Sequence, residues 1–302
     1  MILVDNRHSD NPYINLAIEE YLVRHADCSH SDLLFLYVNK PCIVLGKNQS
    51  IYKEVNFDFL RTNALSLCRR ISGGGTVYHD SGNLNFAFIS RFEDYKVNNY
   101  LLFNRPIVDA LNKAGIPAEM DVRNNIVCNG KKISGNAQFT NRKNIISHGT
   151  LLVNANLPVL RSCLKPNEFT VETRAVSSVN SSVENIAVLN EQLNSVDALK
   201  KYLTASLCIN ERYGFSDTEW KEIESLSVNK FMSYEWVYGR SPFTEIKKQS
   251  LEIAVENGVI QAINEKGNSV LNALIGTRYS FDEIKKASDE IPEASDWLSR
   301  LF

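Results

Sequence analysis

RRISGGGTVYHDSGNLNF, residues 69–86, leaves one strand-like run, LCRR, and ends inside another, LNFAFIS. Three consecutive glycines therefore bridge two strands. Gly73, Gly74 and Gly75 permit positive φ and let backbone N–H groups come close to an anion, as a nest or phosphate cradle does. Arg70 beside them adds a planar cation suited to bidentate recognition of phosphate or carboxylate oxygens. The same composition also reads as a plain hairpin loop with solvent-facing arginines. It fits neither the P-loop pattern nor the Rossmann glycine fingerprint, so neither nucleotide fold is supported. His79 and Asp80 close the loop. Without a second ligand cluster at metal spacing, a structural His79–Asp80 hydrogen bond is preferred over a metal or general-base pair.

Upstream, MILVDN reads as a strand, and Asn11 before Pro12 as a helix start with proline in the first helical position. Ile14, Ala17, Ile18, Tyr21 and Leu22 recur at helical spacing and make one buried face. LLFLYVN and CIVLG, separated by Lys40 and Pro41, suggest paired strands, and VNFDFLRTNAL a short helix. Downstream, residues 99–115 read as a helix stopped by Gly115, with Pro117 beyond. IVCNGKKI, SGNAQFT and IISHGTLLVN follow as three strand-like runs. From residue 183 to 232 the pattern is helical, with Ser216 and Glu219 spaced as a capping box. YEWVYGRSPF breaks it and places a domain boundary near Pro242. Beyond that, Asn257-Gly258 signals a hairpin, and Ser280 with Glu283 caps a last helix. The expected organisation is a domain over residues 1–242 and a small α+β unit over 243–302, with no internal repeat.

The chain has 302 residues, 44% of them hydrophobic and 23% charged, which supplies a full globular core for one large domain and a small one. A formal net charge of −2 offers no basic field for a nucleic-acid backbone. The opening MILVDNRHSDNP has neither a basic n-region nor an apolar h-region, and no run approaches the roughly 18 apolar residues that a membrane span needs. A cytoplasmic protein without membrane or nucleic-acid partners is expected. The six cysteines form no CxxC pair, which fits reduced, mostly buried thiols.

GKKISGNAQ, residues 130–138, places two lysines before a small Ser-Gly turn. Lys131 is read as a solvated surface lysine. If the strand of Lys132 lies beside the glycine loop, its ammonium bridges a substrate carboxylate and a phosphate; spacing alone does not separate that role from a surface one. His148, in a strand expected to pair with the lysine strand, is read as a satisfied buried histidine, with pocket lining as the alternative.

Together, RRISGGGTVYHDSGNLNF, GKKISGNAQ and HGTLLVN, in this order and spacing, resemble the lipoate–protein ligase A family within the biotin/lipoate protein ligase superfamily. The match covers roughly residues 1–240. The resemblance implies an α+β fold, with a catalytic domain of mixed, largely antiparallel sheets and a small C-terminal accessory domain that swings about the YGRSPF segment. It assigns ATP binding to Arg70, Gly75, Thr76, Val77, Tyr78 and Lys132. Lipoate binding falls to Arg70, Ser72, Gly74, Gly75, Val77, His79, Lys132, Ala137 and His148, with Lys132 as the catalytic residue. Family members commonly carry Arg-Asn-Asp before the lysine motif, whereas this chain has Arg123, Asn124 and Asn125, so a Mg2+ role at that position rests on Asn125.

The activity so implied has two steps. ATP converts lipoate to lipoyl-AMP with release of pyrophosphate, and a lysine of an apo lipoyl domain (an E2 subunit) or of glycine cleavage H protein then takes the acyl group. Backbone amides, Arg70, Lys132 and Mg2+ neutralise charge, and an apolar tunnel beside Val77 and Ala137 holds the chain. The rivals are a lipoyl or octanoyl transferase using a cysteine or a preformed acyl donor, and a non-catalytic lipoate-binding protein. Cys128, four residues before Lys132 and expected on the same strand, is not where related transferases carry their nucleophile.

Overall fold

Asn11 caps the first helix, its side chain accepting from the Tyr13 amide at 2.9 Å, and Pro12 occupies the first turn of Pro12–His25. Ala17, Ile18, Tyr21 and Leu22 are buried as their spacing predicts, while Ile14 is only partly so. The helix is not one-sided, however: Asn15, Glu19 and Glu20 are buried too. Buried polar groups of this kind need partners, and the partners prove to be the walls of a cavity. The protein is seen here as a computed structural model that describes residues 1–164, 169–265, 270–290 and 301.

The helix packs on a six-stranded sheet ordered Asn136–Thr140, Asn144–Leu152, Asn83–Arg91, Leu33–Tyr37, Ile2–Val4 and Glu211–Tyr213. The first four strands are antiparallel, with a nine-residue ladder between Asn83–Arg91 and Asn144–Leu152, and the last two join in parallel. The edge strand Glu211–Tyr213 lies in a stretch whose pattern reads as helical; three residues are too few to show a period of two. A second sheet, Ser66–Arg69, Cys42–Leu45 and Val77–His79, is also mixed. The α+β expectation, with mixed and largely antiparallel sheets, holds.

Leu33–Tyr37 and Cys42–Leu45 do not pair with each other, contrary to expectation, but sit in different sheets. Every residue of both runs is buried, so neither leaves a face for water, and each serves as an inner strand of its own layer. IVCNGKKI likewise is not one strand. Asn129 (φ 50) and Gly130 (φ 74) turn it into a hairpin of Ile126–Cys128 and Lys131–Ser134, which joins Ala118–Met120 in a small sheet. Cys128 thus faces Lys131 across the hairpin instead of sharing a strand with Lys132. The strand of His148 pairs with those of Ala137 and Ala87, not with the lysine strand.

Thr244–Lys248, Leu251–Glu256 and Val259–Glu265 form an antiparallel meander, turned at Asn257 (φ 51) and Gly258 (φ 77) as the sequence predicts. Thr170–Thr173 adds to its edge. Ile246, Ile253, Ile260 and Tyr279 from this region pack in one cluster with Ile43, Leu45, Ile51, Tyr52 and Val55. Phe281–Asp289 follows Ser280, whose side chain makes no capping bond. Five of the six cysteines are buried, all six are free, and no helix among the described residues is long and apolar enough to cross a membrane.

Candidate active site

A cavity of about 320 Å³ opens between the six-stranded sheet, the three-stranded sheet of Val77–His79 and the lysine hairpin. Tyr37, Asn85, Ala137 and His148 line it from the six-stranded sheet, Val44, Val77 and His79 from the three-stranded one, and Gly74, Gly75 and Thr76 from the loop. Lys132 and Asn125 complete the wall from the hairpin side, so the triglycine loop and the lysine share one cavity. Arg70 also reaches it. Two expected residues do not line it. Tyr78 alternates with Val77 and His79, so its ring points into the core cluster with Ile43 and Leu45. Ser72 stands behind the wall, fully buried.

The two consecutive arginines point opposite ways along their strand end. Arg69 is a structural clamp: its guanidinium donates to the carbonyls of Gly46 (2.9 Å), Gln49 (2.7 Å) and Val237 (2.7 Å) and to Ser241 Oγ (3.1 Å). Arg70 grips the glycine loop from beneath, donating to the carbonyls of Gly73 (2.6 Å), Gly75 (2.8 Å) and Val44 (3.3 Å) and to Ser72 Oγ (3.0 Å). Its fork holds the loop in place, and the side chain also lines the cavity. Only Gly74 of the three glycines has positive φ (+90°), and a Cβ there would lie 2.9 Å from Arg70 Nη2. With the carbonyls turned down onto Arg70, the amides of Gly73, Gly74 and Gly75 donate to no protein acceptor among the described residues. Burial pushes the Arg70 pKa down to about 10, which leaves the group charged at neutral pH beneath a loop of free amides.

Lys132 is half-buried, and its Nζ lies over Gly135, 2.8 Å from where a Cβ on that glycine would stand. Burial lowers its pKa, and the nearby Asp121 carboxylate opposes that shift. Asp121 accepts from the Asn125 amide and from Asn125 Nδ2, both at 2.8 Å, and from the Arg123 amide at 2.8 Å. Partial burial raises the Asp121 pKa, but these bonds and the charge of Lys132 outweigh it and hold the group below the usual carboxylate range. The backbone of Lys132 bonds on both sides to residues 182 and 184 (Lys132 N to Ser182 O, 2.8 Å; Glu184 N to Lys132 O, 3.0 Å). This draws the preceding segment, Val176 to Ser181, across the cavity. Ser178 fastens that segment: its Oγ donates to Glu54 and accepts from the Thr76 amide (2.8 Å) and Gln49 Nε2 (3.1 Å).

Behind the apolar wall runs a buried network. Glu19 accepts from Tyr37 Oη (2.9 Å) and pairs with His148 Nδ1 (2.7 Å), and His148 Nε2 meets Ser72 Oγ at 2.7 Å. His148 is thus both buried with partners and part of the cavity wall. The expected His79–Asp80 bond is absent. Asp80 accepts from the amides of Gly82 (2.9 Å) and Asn156 (2.8 Å), because strand alternation sends it away from His79. His79 Nδ1 pairs with Asn39 Nδ2 at 3.0 Å instead. Asn15, Glu19, Asn39, Glu54, Asp121 and Ser178 escaped the sequence reading. Asn15 and Glu19 lie four apart on a helix that only the structure reveals to be buried all round.

No group of three or more His, Cys, Asp or Glu among the described residues could hold a metal ion. A small divalent cation brought on nucleotide phosphates needs only one or two protein oxygens and keeps its own waters, so the site is compatible with one. Asn125 Oδ1 faces Gly135 and Lys132, and Asp121 stands beside it, so these are the oxygens such an ion would meet.

Free loop amides and a half-buried ammonium around one partly apolar cavity are the arrangement of an enzyme site for an activated acid. The family model for the lipoyl protein ligase A/B catalytic domain matches residues 11–208. Lipoate-protein ligase LplJ of Bacillus subtilis is 34% identical over 92% of this chain and 91% of its own. Lipoate–protein ligase 1 of Staphylococcus aureus is 34% identical over 96% and 94%. A lipoate-protein ligase A solved with ATP bound superposes with a TM-score of 0.66 at 24% identity, over 80% of this chain and 98% of that one, and so shares the fold. The chain belongs to the lipoyl protein ligase A/B family.

Proposed function

We propose that the chain activates lipoate with ATP to lipoyl-AMP, releasing pyrophosphate, and passes the lipoyl group to a lysine of an apo lipoyl domain or of glycine cleavage H protein. The observation that carries this reading is the convergence of Lys132 with Gly74 and Gly75 of the loop on one partly apolar cavity. An attacking carboxylate and the α-phosphate both carry negative charge, which must be neutralised as they meet. Lys132 Nζ supplies a mobile positive group, the loop amides supply fixed donors, and Arg70 supplies charge from beneath. Mg2+ on the nucleotide would withdraw charge from the phosphates, beside Asn125 and Asp121.

Val44, Val77, Ala137 and Tyr37 offer the acyl chain a dry channel. The segment fastened by Ser178 shields the mixed anhydride from water until an acceptor amine arrives. Residues 243–302 are the accessory unit of this reading, with the segment before Pro242 as the junction. No cysteine lines the cavity among the described residues, and burial raises the Cys128 thiol pKa, so a thiol-based transfer has no group to use. The test is mass analysis of an apo lipoyl domain after incubation with enzyme, ATP and lipoate, alongside a pyrophosphate assay. The domain should gain one lipoyl group only when ATP is present, and Lys132→Ala should abolish both signals. An ATP-independent gain, or full turnover by the variant, overturns the proposal.

A further inference from the structure

The charge lining the cavity is one-sided. Arg70, Arg123 and Lys132 contribute to its wall, and among the described residues no aspartate or glutamate does. Arg70 is buried beneath the glycine loop, Lys132 is half-buried on the hairpin, and Arg123 is exposed at the rim. A wall that gathers three cations and no carboxylate suits an anion carrying more charge than one carboxylic acid.

Arg123 has no structural task to explain it. Arg70 uses its fork on the loop carbonyls, and Lys131, on the same hairpin as Lys132, pairs with Glu184 at 2.7 Å. The Arg123 guanidinium makes no hydrogen bond or ion pair with any described residue. The carboxylate of its own turn is engaged elsewhere: Asp121 accepts from the amides of Arg123 and Asn125 and from Asn125 Nδ2, each at 2.8 Å. Asn124, in the left-handed region (φ 62), and Asn136 Nδ2, which donates to the Asn124 carbonyl at 2.8 Å, fix the turn further. The backbone under Arg123 is therefore pinned while its guanidinium stays available. Burial does most to lower the Lys132 pKa, Asp121 opposes it, and the charges of Arg70 and Arg123 lower it further. Arg123 thus acts on the same space as the Lys132 ammonium, and an anion between them relieves the repulsion.

We infer that Arg123 is a catalytic residue of the activation step alone, gripping the β- and γ-phosphates of the nucleotide and the pyrophosphate they become. This rests on the ligase reading. There a carboxylate oxygen bonds to the α-phosphorus, the bond from that phosphorus to the α,β-bridging oxygen breaks, and the electron pair departs with pyrophosphate. No proton moves in this step, so the negative charge of the attacking acid reappears on the leaving group. In-line displacement sets that group opposite the attacking oxygen, and it must reach solvent, which is the side on which an exposed rim cation stands. A planar fork suits two phosphate oxygens at once. Once lipoyl-AMP has formed there is no β-phosphate left for Arg123 to hold.

Measuring the two half-reactions separately on the full chain tests this. Pyrophosphate release from ATP with lipoate reads the first, and transfer from ready-made lipoyl-AMP to an apo lipoyl domain reads the second. Arg123→Gln should lower kcat/KM for ATP by about 10- to 100-fold in the first, with transfer from lipoyl-AMP at the wild-type rate and far-ultraviolet circular dichroism unchanged. Arg123→Lys, which keeps the charge without the fork, should recover part of the loss. Unchanged pyrophosphate release in Arg123→Gln overturns the inference. So does an equal fall in both half-reactions of the folded variant, the pattern of a rim arginine that seats the acceptor domain or the adenylate. Failure of the ligase reading itself shows in the wild type, as no pyrophosphate release, whereas failure of the Arg123 assignment shows only in the variants.

Discussion

Arg70 shows how one side chain can set the chemistry of a loop. Its guanidinium holds the carbonyls of Gly73 and Gly75, and that fixes where the amides point. A lysine in its place carries the charge but not the planar fork, so it cannot hold both carbonyls at once. Arg70→Lys should therefore lower kcat/KM for pyrophosphate release by about 100-fold, a loss of about 2.7 kcal/mol in transition-state stabilisation, with far-ultraviolet circular dichroism unchanged. His79 leads to a prediction of a different kind. Unfolded, it takes up a proton near pH 6.5; folded, it resists protonation until about pH 3. Between those values the unfolded chain holds the extra proton, so stability is present above pH 6.5 and is lost as pH falls through the window, by on the order of 4 kcal/mol when fully developed. Urea unfolding should show a midpoint that drops between about pH 7 and pH 5, with a shallower slope in His79→Gln.

At the level of elements, the segment Val176 to Ser181 is held over the cavity chiefly through one hydroxyl. Ser178→Ala would leave the Thr76 amide and the buried Glu54 carboxylate each short of a partner, at a cost of about 1–3 kcal/mol. The expected result is a thermal midpoint lowered by a few degrees and a KM for lipoate raised several-fold, since the loosened segment no longer closes the channel. Much of this architecture was legible beforehand. The Asn11–Pro12 helix start, the glycine loop between two strands and the Asn257-Gly258 hairpin all follow from local chemistry that tertiary packing does not override. Asn129-Gly130 carried the same hairpin signal and was read through, because the apolar residues on either side suggested continuity. Strand partners were less legible: Leu33–Tyr37 and Cys42–Leu45 separate into two sheets because both are buried on both faces, a fact about layers and not about either run. The polar residues behind the cavity were the least legible. Asn15, Glu19 and Asn39 look like ordinary surface residues until the helix that carries two of them is seen to be enclosed.

Over the whole molecule, the region after Pro242 does not close a core of its own. Ile246, Ile253 and Ile260 share one apolar cluster with Ile43, Leu45 and Tyr52, whose sheet also carries Val77 and His79 of the cavity wall. Ser50 Oγ, 2.9 Å from Thr244 Oγ1, ties the two regions by a second route, and Thr170–Thr173 supplies the meander's edge strand from earlier in the chain. Two regions sharing a core, a buried hydroxyl pair and a sheet edge lose most of their stabilisation together, so they should unfold together. Calorimetry of the full chain should then give a single transition whose calorimetric and van't Hoff enthalpies agree. Ile253→Ala, which removes a fully buried side chain at about 2–5 kcal/mol, should move that whole transition down without splitting it. Two resolved transitions, with only one responding to Ile253→Ala, would mean instead that the accessory region folds alone and merely docks on the sheet that bears His79.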